Sequence, residues 1–179
     1  METKHSDSQA LEDSVKTILT IFDDPNREGL RESPKRIARA WTELLTADEP
    51  KITVFSSNGY DQMICEKGIK YYTFCEHHFL PFFGEVKIGY IPDQHIIGLS
   101  KLSRIVEYFS KRLNTQEYFT DNIANYLKEK LKPRGVGVVV TGRHLCKEMR
   151  GVKKTGEMTT VALRGCFSEY VVKNEFLSL

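Results

Sequence analysis

The apolar residues of this chain keep a helical period, exchange it for a strand period, and repeat the exchange, which leaves few architectures open. Leu11, Val15, Ile18, Leu19 and Phe22 recur every three or four residues, as in a helix that buries one stripe. A polar turn with Pro25 and Gly29 follows. Ser33 as N-cap and Pro34 at the first helical position predict a second helix, striped by Ile37, Ala40, Trp41 and Leu44. Residues 46–64 read as an irregular polar connection. The period then shortens to two. Residues 69–74 are rich in Tyr, Ile and Phe, and Val86, Ile88 and Tyr90 alternate with Glu85, Lys87 and Gly89, so both segments predict strands. Helical spacing returns in Leu99, Leu102, Ile105, Val106, Phe109 and Leu113, and again in Phe119, Ile123, Leu127 and Leu131. Between them Asn114 ends one helix and caps the next, with Glu117 in the capping-box position. Strands are predicted once more over 135–141 and 158–167. The order helix, helix, strand, strand, helix, helix, strand, strand gives an α+β protein, an antiparallel sheet with two helices on one face and an N-terminal helical segment. Residues 1–60 form that helical extension and its connection, and 61–179 the main body of a single-domain protein.

Composition excludes several function classes. Lys+Arg number 26 against 24 Asp+Glu, a net charge of +2, which is too even for a nucleic-acid or membrane-surface binder. No apolar run approaches the ~18 residues of a membrane span. The polar N-terminus lacks the apolar block of a signal peptide, so a cytoplasmic location is expected. In a reducing compartment the four cysteines, Cys65, Cys75, Cys146 and Cys166, do not form a disulfide framework, and those beside histidines suit metal or nucleophile chemistry.

Two short stretches gather that chemistry. Cys75-Glu76-His77-His78 ends the first predicted strand and His144-Leu145-Cys146 follows the third, so three of five His and two of four Cys fall at strand ends. Cys and His three apart suit one zinc ion from a single turn, with a further soft ligand from a distant loop. Three readings compete: buried cysteines with surface histidines; a closed structural site of Cys75, His78, His144 and Cys146; or three protein ligands that leave a position for water while the other imidazoles move protons. Spacing does not separate the last two. A chain of 179 residues needs no metal staple to fold, and the spare imidazole of the His77-His78 pair favours chemistry.

In order and spacing, DPNREGLRESPKRIARAW (24–41), CEHHFLPFFGEVKIGYIP (75–92), GLSKLSRIVEYFSKRL (98–113), TQE (115–117), GVGVVV (135–140), HLC (144–146) and MRGVKK (149–154) resemble the GTP cyclohydrolase I family. The resemblance runs from about Asp24 to Leu179. It implies that Cys75, His78 and Cys146 are zinc ligands and that His77 and His144 transfer protons. In that family, zinc-activated water attacks C8 of GTP, the imidazole ring opens, C8 leaves as formate, and the ribose carbons close a new ring, giving 7,8-dihydroneopterin triphosphate for pterin and tetrahydrofolate synthesis. Glu117 then corresponds to the guanine-binding carboxylate, flanked by Gln116. Lys101, Arg104 and Arg150 correspond to triphosphate contacts and Ser100 to a nucleotide contact. Lys101 and Arg104 share one face at a helix start, where free N–H groups favour anions. The implied fold is the tunnelling (T-fold) arrangement, with sheets joined between subunits into a barrel and toroidal decamers carrying active sites at subunit boundaries.

Other readings are plainer. Ser100 also suits an N-cap, and Arg143, Lys147, Lys153 and Lys154 a solvated basic face around Arg150. Arg36 resembles a basic position near the phosphates. Trp41, Phe79, Phe82 and Phe83 read as core or subunit contacts, His95 as a loop residue, and His5 as exposed. Departures from the family pattern are Asn114 for Gln, Leu145 and Lys147 for Met, a segment after Val152 one residue short, and Glu157 for a small residue. A carboxylate at Glu157 near a triphosphate would repel it, so either it points away or GTP affinity changes. The rival functions are a catalytically silent GTP-binding relative with structural zinc, and a zinc hydrolase of the same fold acting on another nucleotide.

Overall fold

A computed structural model describes residues 3–179, with side chains from Ser8 onward, so the reading of His5 lies outside the described side chains. Contacts divide the chain between Thr46 and Ala47 into two compact units. The first holds α1 (Thr3–Phe22) and α2 (Ser33–Leu45), which pack as a pair, with Val15 and Ala38 buried. Both predicted helices are present. The cap of α2 lies one position earlier than expected, since Glu32 precedes the helix and Ser33 is its first residue.

The second unit is built on five strands in the order β5-β2-β3-β6-β7. These are β2 (Ile64–Cys75), β3 (Pro81–Ile91), β5 (Leu113–Asn114), β6 (Gly135–His144) and β7 (Glu157–Gly165). All neighbours are antiparallel except β5, which runs parallel to β2 through Phe74↔Leu113 and Cys75↔Asn114. Helices α3 (Leu99–Ser110) and α4 (Gln116–Leu131) cover one face. The alternation read from the sequence is what seals that face. Val86, Ile88, Tyr90, Val136, Val138 and Val140 point into it at 0–1% exposure and meet Leu102, Ile105, Val106, Phe119, Ile123 and Leu127. Each such side chain contributes about 1.5–3 kcal/mol by leaving water. The α+β architecture is as predicted.

Four features were not. The connection over 46–64 contains β1 (Val54–Ser56), which pairs with β4 (His95–Ile97) in a small separate sheet, so His95 is an exposed strand residue. Helix α3 stops at Ser110, because Leu113 and Asn114 turn into strand β5 instead of continuing the helix. A short helix α5 (Leu145–Glu148) follows β6. After a 3-10 turn over Cys166–Ser168, helix α6 (Tyr170–Ser178) lies on the sheet face opposite α3 and α4. There Phe167 and Phe176 sit over the facing pair Gly89 and Gly137, where a Cβ would come within 2.7 Å of Phe176 and 2.5 Å of Phe167 respectively. Lys87 closes the arrangement by donating to the carbonyl of Phe176 at 2.9 Å.

Candidate metal centre and active site

Strand β2 delivers Cys75, at 7% exposure, to a tight turn whose backbone fixes it: Cys75 N–H donates to Leu80 O and Phe79 N–H to Cys75 O, both at 2.9 Å. Phe79 absorbs the reversal with φ 54° and is 37% exposed, whereas Phe82 beyond it is fully buried. The strand end is also tied from below. Asn114 lies opposite Cys75, and its Nδ2 donates to Thr73 Oγ1 and Phe109 O, each at 2.9 Å. Asn114 is therefore a strand residue with a buried carboxamide, and Thr115 caps α4, its Oγ1 accepting from Tyr118 N–H at 3.2 Å.

This turn and the end of β6 converge. Ligand atoms of Cys75, His78 and Cys146 all lie within 4.8 Å of one another, the one such group among the described residues. Cys75 Sγ stands 3.8 Å from His78 Nδ1. A tetrahedral ion with metal–sulfur bonds of about 2.3 Å and metal–nitrogen bonds of about 2.0–2.1 Å holds such donors about 3.6 Å apart, so the group fits a metal with little adjustment. Burial, and then the adjacent Cys75, push the Cys146 thiol up. A cation bound between the two sulfurs would offset the charge that opposes ionisation of Cys146.

The remaining imidazoles stand differently. His77 Nδ1 is 3.7 Å from Cys75 Sγ, but the ring is 64% exposed and its Nε2 lies 3.8 Å from Glu76. His144 stacks on Phe82 at 4.5 Å and 7°, and its Nε2 is 2.8 Å from Gln116 Oε1. Burial lowers its pKa below the ordinary histidine value, against the opposing charge of Glu117. The four-ligand reading required His144 in the metal group, and its Nε2 is instead engaged by a carboxamide.

Glu117 sits in the first turn of α4, exposed, on a cleft of about 410 Å³ with Thr115, Tyr118, Thr120, Asp121, Thr160 and neighbouring residues of β7. With Thr115 as the cap, Glu117 is the second helical residue and not the capping-box partner. Gln116 is 1% exposed and lies beneath this cleft rather than in it. Arg150 follows α5 and bears electrostatically on Cys146. Ser100, Lys101 and Arg104 occupy the start of α3, where Gly98 is the cap and Ser100 is not; their side chains make no hydrogen bond or ion pair among the described residues. Arg143 is neutralised by a two-pronged contact with Glu148 at 3.0 and 2.6 Å. Glu157 lies opposite Arg143 in the sheet, on a hollow of about 750 Å³ on the outer face that none of the metal group lines. It points away from the cleft of Glu117.

The model of the family described as GTP cyclohydrolase I matches residues 11–179. The chain belongs to the GTP cyclohydrolase I family. A relative from Aquifex aeolicus named GTP cyclohydrolase 1 is 46% identical over 177 residues, covering 97% of this chain and 96% of the relative. A GTP cyclohydrolase 1 from Sulfurihydrogenibium is 45% identical, covering 97% and 95%. One from Wolinella succinogenes is 47% identical over 165 residues, covering 88% of each. Within this family the Cys75–His78–Cys146 group could bind a metal ion, and the curled sheet with its two covering helices fits the family's fold.

Proposed function

We propose that this chain is a zinc-dependent GTP cyclohydrolase I, converting GTP to formate and 7,8-dihydroneopterin triphosphate, the first step of pterin and tetrahydrofolate synthesis. The observation that carries the reading is the convergence of two thiols and one imidazole within 4.8 Å, beside a second imidazole held outside the group. Two thiolates and a neutral imidazole suit zinc, and three protein ligands suit a catalytic rather than a structural site. When bound there, zinc would supply a water whose pKa falls from about 15.7 to about 7, a nucleophile at neutral pH.

The chain's own residues supply the rest. Cys75, His78 and Cys146 hold the ion. Glu117, exposed at the cleft, accepts from guanine N1–H and the 2-amino group, a pair of donors adenine does not present. His144, kept neutral by burial, takes and returns protons at the reacting ring, and His77 does so from the solvent side. Lys101, Arg104 and Arg150 bind the triphosphate, with Ser100 at the nucleotide. The side chains of Ser100, Lys101 and Arg104 are unpaired among the described residues, in keeping with sites completed between copies of a homo-oligomer, which the family forms as a toroidal decamer. The protein works in the cytoplasm; no described helix is long and apolar enough to cross a membrane. Incubating the zinc-loaded protein with GTP should release formate and an oxidisable, fluorescent pterin in equal amounts. A metal-replete protein that leaves GTP intact would refute the reading.

A further inference from the structure

We propose that Gln116 is a positioning residue for His144, fixing its imidazole in the tautomer that carries the proton on Nε2. The inference rests on the reading above, in which His144 moves protons. Resemblance places Gln116 among the substrate contacts, but its side chain is buried and already engaged. Its Nε2 lies 3.0 Å from Val140 O, 2.9 Å from Met158 O and 3.2 Å from Thr160 Oγ1. Two of those partners are carbonyls, which only accept, so this end of the carboxamide is the NH2 and both of its protons are engaged. The other end, Oε1, faces His144 Nε2 at 2.8 Å. An amide oxygen only accepts, so Nε2 must donate, and in the neutral ring Nδ1 keeps the lone pair that receives a proton.

The rest of the pocket holds this arrangement in place. Phe82, fully buried, stacks flat on the imidazole and fixes its plane, while Gln116 fixes its rotation within that plane. Gly142 leaves the necessary room: a Cβ there would come within 2.9 Å of Gln116 Oε1 and would strike the Tyr71 hydroxyl. The carboxamide thus joins adjacent strands β6 and β7 to the first turn of α4 and hands the resulting rigidity to one ring. A hydrogen-bond partner that orients an imidazole is worth about 10- to 100-fold in function.

The test compares zinc-loaded wild type, Gln116→Met and Gln116→Glu, each also combined with His144→Ala. Zinc content, KM for GTP, kcat for formate release and the thermal midpoint are measured throughout. Gln116→Met should lower kcat about 10- to 100-fold with zinc content and KM unchanged. Gln116→Glu, protonated among the Val140 and Met158 carbonyls, keeps an acceptor toward His144 and one of the two donors, and should recover part of that loss. In the His144→Ala background Gln116→Met should cost nothing further, because its effect passes through the ring. Solid-state NMR of 15N-histidine protein, with His144→Ala giving the assignment, should show a protonated Nε2 that is lost in Gln116→Met. A raised KM with kcat kept, or an equal loss of kcat without His144, would make Gln116 a substrate contact or a general prop and overturn the proposal. Should the Met variant not fold, a wild-type His144 signal with the proton on Nδ1 overturns it instead. Failure of the underlying reading shows separately, as a wild type inert to GTP or a fully active His144→Ala.

Discussion

Cys75 and Cys146 face each other across a gap sized for an ion, and burial, then the neighbouring Cys75, push the Cys146 thiol up. Protons and metal therefore compete for the same sulfurs. The folded thiol titrates above its ordinary value, so metal affinity should climb as pH rises through and beyond the ordinary thiol range, and loading should release protons. Chelator competition at about pH 6.5 and 8.5 reads this; affinity independent of pH would mean the thiols are not ligands. Cys75→Ser and Cys146→Ser should each lose both metal and formate release. His144→Ala should keep its metal while turnover drops about 10²- to 10⁴-fold. Loss of metal from that variant would restore the closed four-ligand site. The two clusters that carry the donors were legible at strand ends, because Cys and His in such company have few other uses, but spacing left three and four ligands open and the set of three came from the family resemblance. Gln116 was not. Its role depends on which way the first turn of α4 faces, and one residue's difference in the cap, Thr115 in place of Asn114, rotates Gln116 inward and Glu117 outward.

Among the elements, α4 links packing to the site most directly, since its first turn carries both Gln116 and Glu117. That turn is held by a single side-chain cap, Thr115 Oγ1 on Tyr118 N–H. Thr115→Ala should cost about 1 kcal/mol in chemical denaturation and raise KM for GTP, as fraying at the cap displaces Glu117. A stability loss with KM unchanged would separate Glu117 from nucleotide binding. The long strands and helices of the sheet layer could be read from period alone, because one face of each is buried and the pattern repeats several times. Helix α6 escaped that reading for a physical reason. It is nine residues long and docks mainly through Phe176, which with Phe167 fills the space left by two glycines on neighbouring strands, so it presents no stripe to count. β5 escaped because Leu113 continues the spacing of α3, and the pairing of Leu113 with Phe74 and of Asn114 with Cys75 shows that the chain has left the helix. Phe176→Ala should cost about 3–5 kcal/mol by the same denaturation measurement, far more than an unpacked C-terminal helix would show.

On the scale of the whole molecule, the sheet ends in two edges, β5 and β7, that no further strand pairs among the described residues, and β7 presents nine residues of backbone with Met158 and Val161 exposed. Open edges of this length invite pairing with another chain, and a closed assembly removes them. Light scattering should therefore give a mass well above the 20.6 kDa of one chain, about tenfold for a decameric ring. Assembly also bears on chemistry, because the start of α3 and His144 lie toward opposite ends of the sheet: Ser103 donates to Glu66 near the start of β2, whereas His144 is opposite Phe82, which faces Thr73 near the end of β2. Inactive subunits should then repair each other. With His144→Ala and Arg104→Ala co-expressed in one assembly, a site that takes His144 from one copy and Arg104 from the next has both intact in about a quarter of cases under random mixing. Formate release near that fraction of wild type, from two variants silent alone, would locate the site between chains. A mixed assembly as silent as its parents would mean that one chain supplies both residues, and Lys101 and Arg104 would then have to reach their phosphates within it.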